Sequence, residues 1–201
     1  MPDRRPIEPA PARGRYDRAL SRQARQAEHK ERLLRWIAEA YRERGQSLTV
    51  QHVVEAAGVG RNTFYEYFDG LEHAIDFAAQ SYAKLVQERI VSAVATARTP
   101  IAKLRELSRA WFDVVQADPA NAALLLRPGA DSRSAGARMF GSLLATIVKD
   151  ARSTGAAHPD PVLVDCAAFA AEGGARLILA GGAQSDRVQE GLGTVLTHLF
   201  R

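Results

Sequence analysis

The chain is predicted to be all-α, and three observations carry the prediction. From about residue 26 onward, apolar residues recur at three- and four-residue steps, the spacing that places side chains on one face of a helix. No stretch sustains the apolar–polar alternation of a half-buried strand. Turn and breaker residues fall between the periodic segments, at Gly45, Asp69-Gly70, Thr99-Pro100, Asp118-Pro119, Pro128-Gly129 and Gly181-Gly182. This punctuation cuts the chain into about nine helices, grouped as a short N-terminal part over 26–70 and a longer part over 71–201.

Ahead of the helices, residues 1–25 read as a disordered basic arm. Four of the nine prolines lie in the first eleven residues, and large apolar side chains are scarce there. The first helix then places Leu33, Leu34, Ile37 and Tyr41 on one face and stops at Gly45, where glycine accepts the left-handed conformation. Thr49 can cap a second helix, whose apolar face is Val50, Val53, Val54 and Ala57. A short third helix runs from beyond Gly58-Val59 to about Phe68. A long helix over 71–97 carries Ala74, Ile75, Ala78, Tyr82, Val86 and Ile90 at helical spacing. Pro100 suits the first turn of a helix over 100–117. A short helix through Leu124–Leu126 follows, then helices over about 132–152, 161–181 and 186–200.

The stretch Thr49 to Phe68, TVQHVVEAAGVGRNTFYEYF, is the most informative in the chain. Two short helices joined by a glycine-containing turn make a helix-turn-helix. Ala56 and Ala57 permit close approach of the helices, Gly58 the sharp turn, and Val59 fills the gap between them. The second of the two helices would enter a DNA major groove with Arg61, Asn62 and Thr63 near its N-terminus. Arginine pairs with guanine, asparagine with adenine, and a threonine methyl with thymine. Tyr65 and Tyr67 carry hydroxyls suited to phosphate oxygens, which fix register without specifying sequence.

These residues resemble the tetracycline-repressor-like (TetR/AcrR) family of bacterial regulators. The resemblance rests on Thr49-Val50, Val53, Ala56-Ala57-Gly58-Val59, Thr63-Phe64-Tyr65 and Tyr67-Phe68, and extends back through Leu33, Leu34, Tyr41 and Gly45. It covers about residues 28–78 by motif and the remainder by length and helical layout alone. It implies an N-terminal DNA-binding domain over 26–70 followed by a helical ligand-binding and dimerisation domain over 71–201. The implied protein is a cytoplasmic homodimer on a palindromic double-stranded operator, a repressor released by a small-molecule effector. By position, Thr49, Arg61, Asn62, Thr63, Tyr65 and Tyr67 are the implied DNA-binding residues, with Phe64 and Phe68 in the core. Two positions depart from the family. Gly60 stands where a polar capping residue is common, and Leu71 where a phosphate-touching lysine is usual.

Net charge is +4, and its placement is uneven. Residues 1–35 hold ten Lys/Arg against five acids, which leaves −1 for the rest of the chain. The arm is read either as a solvated tail or as a basic arm that follows DNA phosphates, and in the second case it would offset the missing lysine. Deleting residues 1–25 should weaken operator binding and flatten its salt dependence, because each phosphate contact releases counterions. An unchanged salt slope would remove the arm from the interface.

In the C-terminal part, the small residues Ala167, Ala168, Ala170, Ala171, Gly173, Gly174, Ala175 and Ala180 allow close helix packing, either across a four-helix subunit interface or within one protomer. Phe77, Tyr82, Trp111, Phe112, Met139, Phe140 and Phe169 are candidates for an apolar cavity or for plain core. Arg109 and Arg176 lie on mostly apolar helices, placed to meet an anionic ligand, solvent or an acidic partner. No ligand residue is singled out.

Other classes find little support. The sequence has no phosphate-cradling glycine loop after a strand, no nucleophile elbow and no zinc-type spacing, so neither an enzyme nor a bound metal or cofactor is expected. The single cysteine, Cys166, precludes an internal disulfide and fits a reducing compartment. No apolar run reaches the roughly 18 residues of a membrane span. The alternative that remains is a helical ligand-binding or interaction module without specific DNA recognition.

Overall fold

The computed structural model describes residues 22–128, 133–153, 160–182 and 184–198. The predicted arm lies outside them except for its last four residues, which belong to the first helix. Among the described residues there are nine α-helices and no strand: α1 Arg22–Arg44, α2 Val50–Ala57, α3 Arg61–Tyr65, α4 Leu71–Ala95, α5 Pro100–Ala117, α6 Pro119–Leu125, α7 Ala135–Ser153, α8 Pro161–Leu179 and α9 Ser185–His198. α1 begins before the first apolar repeat because its opening turns are strong helix formers with nothing to bury. α3 is shorter than predicted, since Glu66 closes it and the Tyr67 and Phe68 amides both return to the Phe64 carbonyl.

Where the sequence carried capping residues, helices begin on them. The Thr49 hydroxyl oxygen accepts from the His52 amide at 3.3 Å. Thr99 caps α5 through the Ala102 amide at 3.2 Å, with Pro100 in the first turn. Asp118 caps α6 through Asn121 at 3.1 Å, and Asp160 caps α8 through Val162 at 2.8 Å. Each satisfies an amide that the first turn leaves without a helical partner.

The described residues form two compact units, one ending at Ala78 and the other starting at Ala79. The first buries Leu33, Ile37, Val53, Val54, Ala57, Phe64, Phe68, Ala74 and Ile75. Phe68 is its centre, with ring centroids 5.4 Å from Phe64 and 5.8 Å from Phe77. The Lys30 ammonium sits 4.1 Å above the Phe77 ring, a cation–π contact that ties α1 to α4.

The second unit is built around Trp111, Phe112, Phe140, Leu104, Leu107, Ala171 and Ala175. Trp111 donates its indole N–H to the Ala171 carbonyl at 3.1 Å and meets Phe140 edge-on at 5.7 Å. Trp111, Phe112 and Phe140 have essentially no accessible surface, so they fill the core instead of lining a space. Phe169 faces outward, 49% exposed. Five of the small residues of α8 (Ala167, Ala168, Ala171, Gly174, Ala175) are buried within the protomer; Ala170, Gly173 and Ala180 are exposed. Gly174 shows why size matters there. A Cβ on it would lie 2.6 Å from a Val188 methyl and 3.1 Å from the Phe112 ring, so α9 and α5 approach bare backbone.

Tyr82 is half-buried against this core. Burial, then the Asp118 carboxylate, push its phenol up to about 12, with Arg89 opposing. Unfolded tyrosine ionises near pH 10, so the folded state favours the neutral phenol. That stabilisation is intact below pH 10 and is lost as pH rises toward about 12. The urea midpoint should therefore fall over this range, and fall less in Tyr82→Phe. Equal slopes in the two proteins would contradict it.

Candidate nucleic-acid interface

α2 ends at Gly58, whose φ of 62° is left-handed. The Gly58 amide bonds the Glu55 carbonyl at 3.2 Å and the Val59 amide the Val54 carbonyl at 3.1 Å, the paired closure of a Schellman motif. A Cβ in this conformation costs about 1–2 kcal/mol. Gly58→Ala should lower the unfolding free energy of the N-terminal unit by that amount, read by chemical denaturation. A neutral effect would mean that the turn relaxes.

The last carbonyl of α2, at Ala57, accepts from an Arg32 guanidinium nitrogen at 2.6 Å. A cation at a helix C-terminus meets both an unpaired carbonyl and the negative end of the helix dipole. Arg32 thus ties α1 to the turn between α2 and α3. The sequence showed only a charged residue on a charged face, and a partner 25 positions away left no local signal.

α3 divides into an inner and an outer side. Phe64 is fully buried, and Phe68 just beyond the helix nearly so. Arg61, Asn62 and Tyr65 are exposed and Thr63 half-buried. The Arg61 guanidinium lies 5.9 Å from the Tyr65 ring centroid, and that ring packs edge-on against Phe64 at 5.4 Å. Gly60 precedes α3 without a side-chain cap.

Thr49 is exposed, and its cap uses only an oxygen lone pair, leaving the O–H free to donate. Tyr67 differs. Its hydroxyl donates to the Gln26 carbonyl of α1 at 3.2 Å. Burial and the neighbouring Glu66 carboxylate raise its pKa, so the phenol stays a neutral donor. Beside it, exposed His73 holds the start of α4. Its Nδ1 accepts from the Asp69 amide at 3.1 Å and lies 3.1 Å from the Asp69 carboxylate. Gln26, Arg32 and His73 are the residues of this region that the sequence pattern did not single out.

Among the described residues, no three His, Cys, Asp or Glu side chains converge on a possible metal position, and no helix is long and apolar enough to cross a membrane. Arg109 and Arg176 both have acidic partners: Arg109 is paired with Glu106 at 2.7 Å and Asp113 at 2.8 Å, and Arg176 with Glu172 at 2.5 Å.

No protein-family model and no curated protein sequence matches the chain. Solved structures do. The regulator FadR from Bacillus subtilis, crystallised with stearoyl-CoA, superposes with a TM-score of 0.70 at 16% identity, covering 85% of this chain and 97% of that one. A TetR-like transcriptional regulator from Rhodococcus sp. RHA1 gives 0.67 at 15% identity, over 89% and 97%. AibR, crystallised with isovaleryl coenzyme A and operator DNA, gives 0.63 at 19% identity, over 86% and 98%. The fold of this chain is that of the TetR-like transcriptional regulators.

Proposed function

We propose that the protein is a DNA-binding transcriptional regulator whose α3 reads the major groove. The observation that carries this is the division of labour on α2–turn–α3. Phe64, Phe68, Gly58 and Arg32 hold the geometry from inside, while Arg61, Asn62 and Tyr65 stand exposed on the outer side. Thr49 and Tyr65 supply hydroxyls for phosphate oxygens, and Thr63 contributes a methyl. Tyr67 reaches a phosphate only by giving up Gln26, since a phenol has one proton to donate.

The active form we propose is a homodimer on a palindrome, because two copies of α3 must reach half-sites about 34 Å apart. The outward face of α8 supports this. Val162, Leu163, Phe169 and Leu177 are exposed there, and Val195 is exposed on α9. Such a set of apolar side chains on one helix is the mark of a surface meant to be covered. Two of the solved relatives were crystallised with acyl-CoA molecules and one of those with operator DNA. We extend from them a small-molecule effector and, by site occupancy at a promoter, repression. An effector that favours a conformation with the wrong separation of the two α3 helices would release DNA.

The test is selection of bound sequences from random duplex DNA by the purified full chain. Enrichment of a palindrome supports the regulator. If nothing enriches and residual binding is uniform and steeply salt-dependent, only backbone attraction remains. The protein would then be a helical binding module without specific recognition.

A further inference from the structure

A groove of about 520 Å³ runs between α5 and α9, within the size range of small-molecule sites. The residues that line it are polar or charged, apart from Gly193. α5 contributes Arg105, Glu106, Ser108 and Arg109, and α9 contributes Asp186, Gln189 and Glu190. It is distinct from the buried aromatic core and from the apolar face of α8. On α9, Val188 points at α8, and Val195 shares that flank at helical spacing. Asp186, Gln189 and Glu190 occupy the opposite flank, toward α5.

The partners of these groups show which remain available. Arg109 is already paired on its own helix, bonded to Glu106 and Asp113. Arg105 has no hydrogen bond or ion pair among the described residues, and neither do the carboxylates of Asp186 and Glu190. Arg105 on α5 and Asp186 and Glu190 on α9 thus line the same groove without an ion pair between them. Asp186 is favoured by its place in the first turn of α9. Glu190 has no such support, and a like charge four residues away is unfavourable.

The second observation is Ser108. It is 1% exposed, and its hydroxyl oxygen is buried without a partner in the wall of the groove. A serine inside a helix ordinarily returns its hydroxyl to the preceding turn or to water. Buried and without a partner, it is a hydroxyl that the fold itself does not satisfy.

We propose that the α5–α9 groove binds a small zwitterion of the amino-acid type, a free amino acid or dipeptide. Its carboxylate pairs with Arg105, its ammonium lies between Asp186 and Glu190, and Ser108 provides a hydroxyl at the floor. A dianion would meet two carboxylates, and a simple diamine would leave Arg105 unused; the arrangement of free charges favours a ligand carrying both signs.

The experiment is calorimetric titration of the full chain, without DNA, using the twenty free L-amino acids and glycine-containing dipeptides, with putrescine and succinate as single-sign controls. The expected result is binding by at least one zwitterion, weakened tenfold or more by Arg105→Gln and by Glu190→Gln. Both substitutions are on the surface and should leave the thermal midpoint unchanged. Ser108→Ala should weaken binding with no loss of stability, since its hydroxyl has no bond to lose. Failure of every zwitterion at millimolar concentration, equal binding by putrescine or succinate, or unaltered affinity in the Arg105 and Glu190 variants would each overturn the proposal. Because DNA takes no part, the outcome is independent of operator recognition.

Discussion

Trp111→Ala is expected to cost the C-terminal unit about 3–5 kcal/mol, a large share of the 5–15 kcal/mol that ordinarily holds a domain together. Three losses combine. The largest buried side chain of the unit is removed from a site with no accessible surface. Its edge-on contact with Phe140 goes with it. The indole N–H to the Ala171 carbonyl disappears as well, but that carbonyl keeps its place in α8, so the hydrogen bond is the smallest of the three. The cavity cannot collapse easily, because α8 already touches its neighbours through alanine and glycine. Urea unfolding followed by far-ultraviolet circular dichroism would measure the loss. A change under about 1 kcal/mol would mean that the helices close over the gap, contrary to the packing described.

The second large effect is on recognition. Arg61→Ala should weaken binding to the selected palindrome by about 1–3 kcal/mol, roughly fivefold to more than a hundredfold, if the guanidinium reads a base edge. The loss should be confined to the preferred sequence and should erase preference at one position of each half-site. If Arg61 instead rests on a phosphate, affinity falls equally on all duplexes and the salt slope drops by about one. Adding Tyr65→Ala should deepen the loss by less than Tyr65→Ala costs alone, because whatever the ring contributes by holding Arg61 is already lost. Fluorescence anisotropy on the selected and scrambled duplexes at two salt concentrations separates these outcomes. Unchanged affinity in the double variant would take α3 out of the interface.

What the sequence made legible was local. Thr99-Pro100 and Asp118-Pro119 announce helix starts because the cap and the ring act within one turn, and both helices begin there. Gly58 was readable for the same reason: a left-handed residue between two short apolar helices leaves few alternatives to glycine. The candidate DNA-reading residues were legible because Phe64 and Phe68 define the inner side of α3 and so leave Arg61, Asn62 and Tyr65 outside. Contacts between distant positions were not legible. Arg32 reaching Ala57, Tyr67 reaching Gln26, and the α5–α9 groove each depend on helices meeting after 25 to about 85 intervening residues. Aromatic composition also misled about space. Trp111, Phe112 and Phe140 have the chemistry of a cavity wall and the packing of a filled core, and only burial distinguishes the two.

The anchoring of α2 and α3 from within has a consequence for how such a protein changes its target. Phe64, Phe68, Gly58 and the Arg32 bridge carry the folding of this corner, with Tyr65 packed edge-on against Phe64, whereas exposed Arg61 and Asn62 contribute little to it. Exposed positions of that kind tolerate replacement within about 0.5 kcal/mol. New combinations at 61 and 62 can therefore be sampled with the scaffold unchanged, so that, if these residues read the operator as proposed, a lineage could move from one operator to another without passing through unstable intermediates.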